Sequence, residues 1–182
     1  MNFIKNIFLL LVSPSTGWAE IKKFNVPKEI MLSRVFYPLL AILAISSLAL
    51  FFYSPGNTLA FYIQNSVICF ATYFFGYLTA SYFLNSLYPK LSDDPSSANR
   101  FSIFIIYCYT ILVIIAIINN ALNNFVFFEI LPLYIVFIVW KGIQFLKIET
   151  DAPKFVVVVS CMILLPPLLI DLILKYLLPL NS

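Results

Sequence analysis

The chain has 182 residues, 62% of them hydrophobic, 18% aromatic and only 10% charged, with a mean hydropathy of +0.98 and a net charge of +3. A water-soluble domain carries about 25% charged residues, so this balance excludes one, together with disorder and coiled coil. The small net charge excludes a nucleic-acid footprint.

What remains is an all-α protein built in lipid. Each membrane-crossing helix takes about 20 apolar residues, so five would use about 100 positions and leave no room for a separate soluble domain. The expected architecture is an integral membrane bundle of five transmembrane helices, residues 34–178, preceded by a short amphipathic interfacial helix within a cytoplasmic segment, residues 1–33.

In that first segment Ser13 is a suitable N-cap, and Pro14 fits the first helical position, where its missing donor costs nothing. Trp18, Ile21 and Phe24 then fall at i, i+3 and i+6 along one side, with Glu20, Lys22 and Lys23 on other faces. Two placements fit this pattern. Trp18 can anchor at headgroup level while Lys22 and Lys23 meet anionic phosphates, at about 1 kcal/mol each, or the helix can pack against the bundle. A secretory signal cleaved after Ala19 fits less well, because the apolar stretch Ile7 to Val12 is shorter than such signals use and cleavage would leave Lys22, Lys23, Lys28 and Arg34 outside.

No charge occurs from Val35 to Pro89, a run too long for one helix. The turn formers Ser54-Pro55-Gly56-Asn57-Thr58 divide it into spans at about 35–53 and 61–84. A third span is expected at 101–122, closed by a turn at Asn119-Asn120 and Asn123-Asn124. The fourth, 125–146, is the weakest, because Glu129, Pro132 and Lys141 lie in it. The fifth, 155–178, contains Pro166-Pro167, which remove two backbone donors. With the N terminus in the cytoplasm, ten of the eleven basic residues fall on cytoplasmic flanks and only Lys175 lies near the outer surface. This predicts a cytoplasmic N terminus, an outer C terminus and residence in a bacterial cytoplasmic (inner) membrane.

Ionisable residues within spans are default site candidates. Asp171 and Lys175, one helical turn apart, can pair with each other, and Glu129 lies at the same outer level. Together they are either charge compensation near the interface or part of an ion or proton relay. Thr72, Gly76 and Ala80, at four-residue spacing, form a face that another helix can approach closely, within this chain or in a second copy. Cys69, Cys108 and Cys161 are widely spaced in apolar runs and histidine is absent, so neither a metal nor a cofactor is expected. No nucleophile elbow, phosphate-binding loop or zinc-protease motif is present in the sequence, and the acidic pair Asp93-Asp94 reads as a solvated turn.

The stretch LLVSPSTGWAEIKKF, with Ser13, Pro14 and Trp18, resembles the entry segment of prokaryotic members of the Yip (Ypt-interacting protein) domain family. Tyr37-Pro38, Tyr107, Tyr109 and the stretch LPLYIVFIVWKGIQFL, with Leu133, Tyr134 and Gly142, extend the resemblance over nearly the whole chain. It implies a five-helix, non-enzymatic membrane protein. Eukaryotic relatives are implied to bind Rab-type GTPases through an Asp-Leu-x-Gly-Pro motif. This chain has Arg34-Val35-Phe36-Tyr37-Pro38 there, keeping only the proline, so GTPase binding is not supported.

Two functions follow as expectations. One is a membrane interaction or scaffold protein, whose partners are the lipid bilayer and other membrane proteins or itself. The other is a small ion or solute transporter or channel component using Glu129, Asp171 and Lys175. A lipid-modifying enzyme ranks third, lacking a nucleophile and base.

Overall fold

In the computed structural model the described residues are 3–23, 26–53, 57–87, 97–122, 130–146 and 152–178. Phe24, residues 54–56 of the expected turn, Lys90, Asp93-Asp94, Asn123-Asn124, residues 125–129 with Glu129, and Lys147 lie outside them. Among the described residues every regular element is helical: α1 (Phe3–Val12), α2 (Pro14–Lys22), α3 (Lys28–Phe52), α4 (Leu59–Leu87), α5 (Ser97–Ala121), α6 (Tyr134–Leu146) and α7 (Ala152–Leu177). The protein is an integral membrane protein, a helical bundle.

Four of these helices, α3, α4, α5 and α7, are long and apolar enough to cross a membrane. They overlap the expected spans 35–53, 61–84, 101–122 and 155–178. Of the expected fourth span the described part is a 3-10 turn, Leu131–Leu133, leading into the 13 residues of α6. At about 2.0 and 1.5 Å per residue these two alone cover about 26 Å of the ~30 Å hydrocarbon core. Lys141, the awkward charge of that span, places its ammonium 4.3 Å from the Trp140 ring centroid and 5.5 Å from that of Phe137. A cation held over aromatic faces recovers about 0.5–2 kcal/mol of its desolvation.

α5 is the central helix. Every residue from Phe101 to Val113 is buried, which fits a segment apolar on all sides. α3, α4, α6 and the α1–α2 pair pack around it, and α7 closes on α4 and α6 while approaching α5 only slightly. The outward faces carry Ile45, Phe52, Val67, Phe75, Tyr82, Leu168, Leu172 and Tyr176, all exposed for lipid to cover. α3 widens into a π turn, Leu32–Phe36, in which the Tyr37 amide bonds to the Leu32 carbonyl. That turn comes directly before Pro38, whose ring needs room near the carbonyl four residues back.

The N-terminal segment takes the second of its two placements, and the interfacial-anchor reading of Trp18 is corrected. α1 and α2 form a tight antiparallel hairpin. A Cβ on Gly17 would lie 2.8 Å from the Leu10 backbone nitrogen, so only glycine permits the approach. Trp18 is 2% exposed, stacked on Phe104 and Phe145 at 5.0 and 5.1 Å, and its indole N–H donates to the Ile138 carbonyl at 3.0 Å. Gly142 of α6 makes room for this stack, because a Cβ there would press into the Phe104 and Trp18 rings. The Tyr134 hydroxyl donates to the Leu11 carbonyl at the end of α1, one of the acceptors a helix C terminus leaves open.

Pro14 stands at the start of α2 and Ser13 at its N-cap. The Ser13 hydroxyl pairs with Thr16 Oγ1 at 2.9 Å rather than capping a backbone amide. Lys22 and Lys23 are exposed at the open end of the hairpin, where Lys23 lies 2.6 Å and Lys5 3.7 Å from Glu20. The Lys23 hydrogen bond, reinforced by the two positive charges against a smaller opposing effect of burial, holds the Glu20 carboxyl below its ordinary pKa.

Candidate functional site: an intramembrane cavity

Thr72, Gly76 and Ala80 lie on the inner face of α4, all buried. A Cβ on Gly76 would lie 3.3 Å from Cα, Cβ and Cδ of Pro167, so the small residue lets α4 and α7 meet closely at the double proline. Pro167 has no amide hydrogen to give the Ile163 carbonyl four residues back. The Tyr109 hydroxyl, reaching across from α5, donates to that carbonyl at 3.0 Å. α7 therefore runs unbroken through Pro166 and Pro167.

Beside this contact the helices part. A cavity of about 690 Å³ lies between α4, α5, α6 and α7, within the ~300–1,000 Å³ of ordinary small-molecule sites. Ile68, Leu112, Ile115, Val136 and Leu164 make most of its wall apolar. One end is polar, with Asn65, Asn119, Asn120, Asp171 and Lys175. The Gln64 amide bonds to the Leu178 carbonyl at 2.9 Å, which fixes the start of α4 beside the end of α7 at this polar end. Asn120 donates to Ser46 Oγ at 3.1 Å and approaches Cys69 Sγ at 4.0 Å. The Asn119-Asn120 pair, expected in a turn, thus belongs to the last turn of α5 and faces inward.

Three buried polar side-chain atoms among the described residues have no hydrogen-bond partner: Thr72 Oγ1, Asn119 Oδ1 and Ser160 Oγ. All three residues line this cavity, on three different helices. An orphaned polar atom in an apolar interior costs about 1–3 kcal/mol, and all three border the same space, Asn119 at its polar end and Thr72 and Ser160 farther along it. Asp171 and Lys175 form an ion pair at 2.8 Å across one helical turn, half-exposed, at the same end. Such a pair adds at most about 1 kcal/mol to stability. Glu129 lies outside the described residues. Sequence reasoning missed Ser160 and misread Asn119, because each is unremarkable on its own helix. Among the described residues no group of three His, Cys, Asp or Glu side chains stands ready to hold a metal.

The model of the Yip1 domain family matches residues 8–171, which takes in most of the hairpin and bundle and the cavity residues up to Asp171 but not Lys175. No curated protein matches the chain, and no solved structure does.

Proposed function

The chain belongs to the Yip1 domain family, and from that premise we propose that it is a non-enzymatic integral membrane protein that takes a small guest molecule into a cavity within the bilayer. The observation that carries the reading is a space of about 690 Å³ with a mostly apolar wall and one polar end, where Asn119 Oδ1 is buried without a partner. We place it in a bacterial cytoplasmic membrane with the N terminus inside and the C terminus outside. Ten of eleven basic residues support that orientation.

The scaffold reading rests less on the small-residue face, since Gly76 meets Pro167 of the same chain and Thr72 and Ala80 are buried, and keeps the basic N-terminal segment. A hydrated-ion path fits the lining poorly. Most of the wall is hydrocarbon, and Asp171 is the one carboxylate among the described lining residues, too few polar groups to replace a hydration shell along the path. Native mass spectrometry of protein released from its own membranes tests the proposal. A bound non-protein mass is expected on the wild type and should disappear in Ala116→Phe, which fills the cavity from α5. Bare protein in both, with crosslinks to a membrane partner, would return the function to scaffolding.

A further inference from the structure

The shape and polarity of the cavity narrow the class of guest, an inference that rests on the reading above. The α7 residues lining it, Val157, Cys161, Leu164, Leu168, Asp171 and Lys175, share one face and span 18 intervals of sequence. At 1.5 Å per residue that is about 27 Å, nearly one hydrocarbon thickness. About 690 Å³ open to the centres of water-sized molecules, spread over that length, gives a mean cross-section of about 25 Å², which with the ~1.4 Å water radius on each side makes the space about 8–9 Å across. A helix with its side chains needs about 10–12 Å, so no partner helix fits, whereas one extended hydrocarbon chain does. Leu133, Val157, Leu165 and Leu168 are exposed where they line the space, which makes its mouth lateral, toward lipid.

The polar end sets requirements of its own. Ser160 lies toward the other end, three residues from Val157, and it, like Thr72, can turn its hydroxyl onto a carbonyl of its own helix. The Asn119 amide oxygen has no such recourse, because the backbone N–H groups within a helix are already committed. A guest that brings an N–H or O–H donor satisfies it. Lys175 offers ammonium hydrogens to an anion, and Asp171 offers an acceptor to a cation, with no net charge between them. We propose that the cavity binds an amphiphile presenting one acyl chain and a zwitterionic ammonium–phosphate head, the chain lying along α7 toward Val157 and the head among Asn119, Asp171 and Lys175.

Three photoactivatable probes carrying a diazirine in the acyl chain test this on the full chain in phosphatidylcholine vesicles: a lysophosphatidylethanolamine, a diacyl phosphatidylethanolamine and a headless alkane. Labelled residues are mapped by peptide mass spectrometry with and without unlabelled competitor. The expected result is competable labelling of α4 and α7 cavity residues by at least one ethanolamine probe. It should fall at least about tenfold in Asp171→Asn/Lys175→Gln, which removes both charged hydrogen bonds to the head, and be unchanged in the lipid-facing Leu172→Phe. Labelling by the lyso probe alone identifies a single-chain guest, and labelling by both identifies a bilayer lipid with its second chain outside. Both outcomes uphold the proposal. If the headless alkane competes equally and the double variant changes nothing, the zwitterionic head is refuted while the guest cavity stands. Absence of competable labelling by every probe at these residues overturns both. The double variant alters half-exposed side chains, so the test holds even where Ala116→Phe does not fold.

Discussion

Tyr109→Phe removes one oxygen atom from the buried centre of the protein, and its cost should depend on a residue in another helix. The hydroxyl donates to the Ile163 carbonyl at 3.0 Å, and both residues are fully buried. That carbonyl lacks its ordinary helical donor only because residue 167 is proline. An orphaned buried carbonyl costs about 1–3 kcal/mol, and interhelical hydrogen bonds in membrane proteins measure up to about 1.7. We therefore expect Tyr109→Phe to cost about 1.5 kcal/mol, roughly a tenfold drop in the folded-to-unfolded ratio. In a Pro167→Ala background the restored amide supplies the donor, and the same substitution should cost under about 0.5 kcal/mol. The four proteins of this cycle can be compared by reversible SDS unfolding in mixed micelles, followed by circular dichroism. Equal penalties in the two backgrounds would refute the reasoning, because the hydroxyl would then not be standing in for the missing proline donor.

Trp18→Ala should cost about 3–5 kcal/mol in the same assay, since it empties a stack of three rings, whereas Trp18→Phe should cost about 1 kcal/mol for the lost bond to Ile138; a negligible effect of both would return Trp18 to the membrane surface. Gly76→Leu should separate α4 from α7 and abolish recovery of folded protein, and normal recovery would contradict the 3.3 Å approach to Pro167. Because the Glu20 carboxyl is held below its ordinary pKa, its support for the hairpin is complete above that ordinary value and is lost as pH falls through the lowered one. Hydrogen exchange of α1 and α2 should rise over that acid window in wild type and show no such step in Glu20→Gln, which identical profiles would contradict.

The bundle was legible because lipid imposes a strict demand on sequence. A charge-free run such as Val35 to Pro89 has few ways to satisfy its backbone other than by folding into helices. The turn formers after Tyr53 and the basic flanks then mark where those helices end. The side of α2 that meets protein was not legible, because bilayer and protein interior are equally apolar and Trp18 suits either. Small residues were informative only about closeness. Gly76 announced a near approach, but not that its partner was Pro167 of the same chain. Thr72, Asn119 and Ser160 acquire meaning only together, and they lie 41 to 88 positions apart in the chain. One-dimensional pattern reading has no access to such a convergence, nor to the meeting of Tyr109 with a carbonyl 54 residues later.

The N-terminal hairpin also constrains the order of assembly. Asn6 bonds to Tyr107, Trp18 to Ile138 and Leu11 to Tyr134, at separations of 101, 120 and 123 residues. The ribosome delivers α1 and α2 first, yet the surfaces that receive them do not exist until α6 has been translated and inserted. For most of biosynthesis Trp18 must therefore wait, held at the membrane surface or by a chaperone, and its docking against Phe104 and Phe145 becomes a late, slow closure. A nascent chain halted before residue 138 should keep its first helices open to protease, while the completed protein hides them.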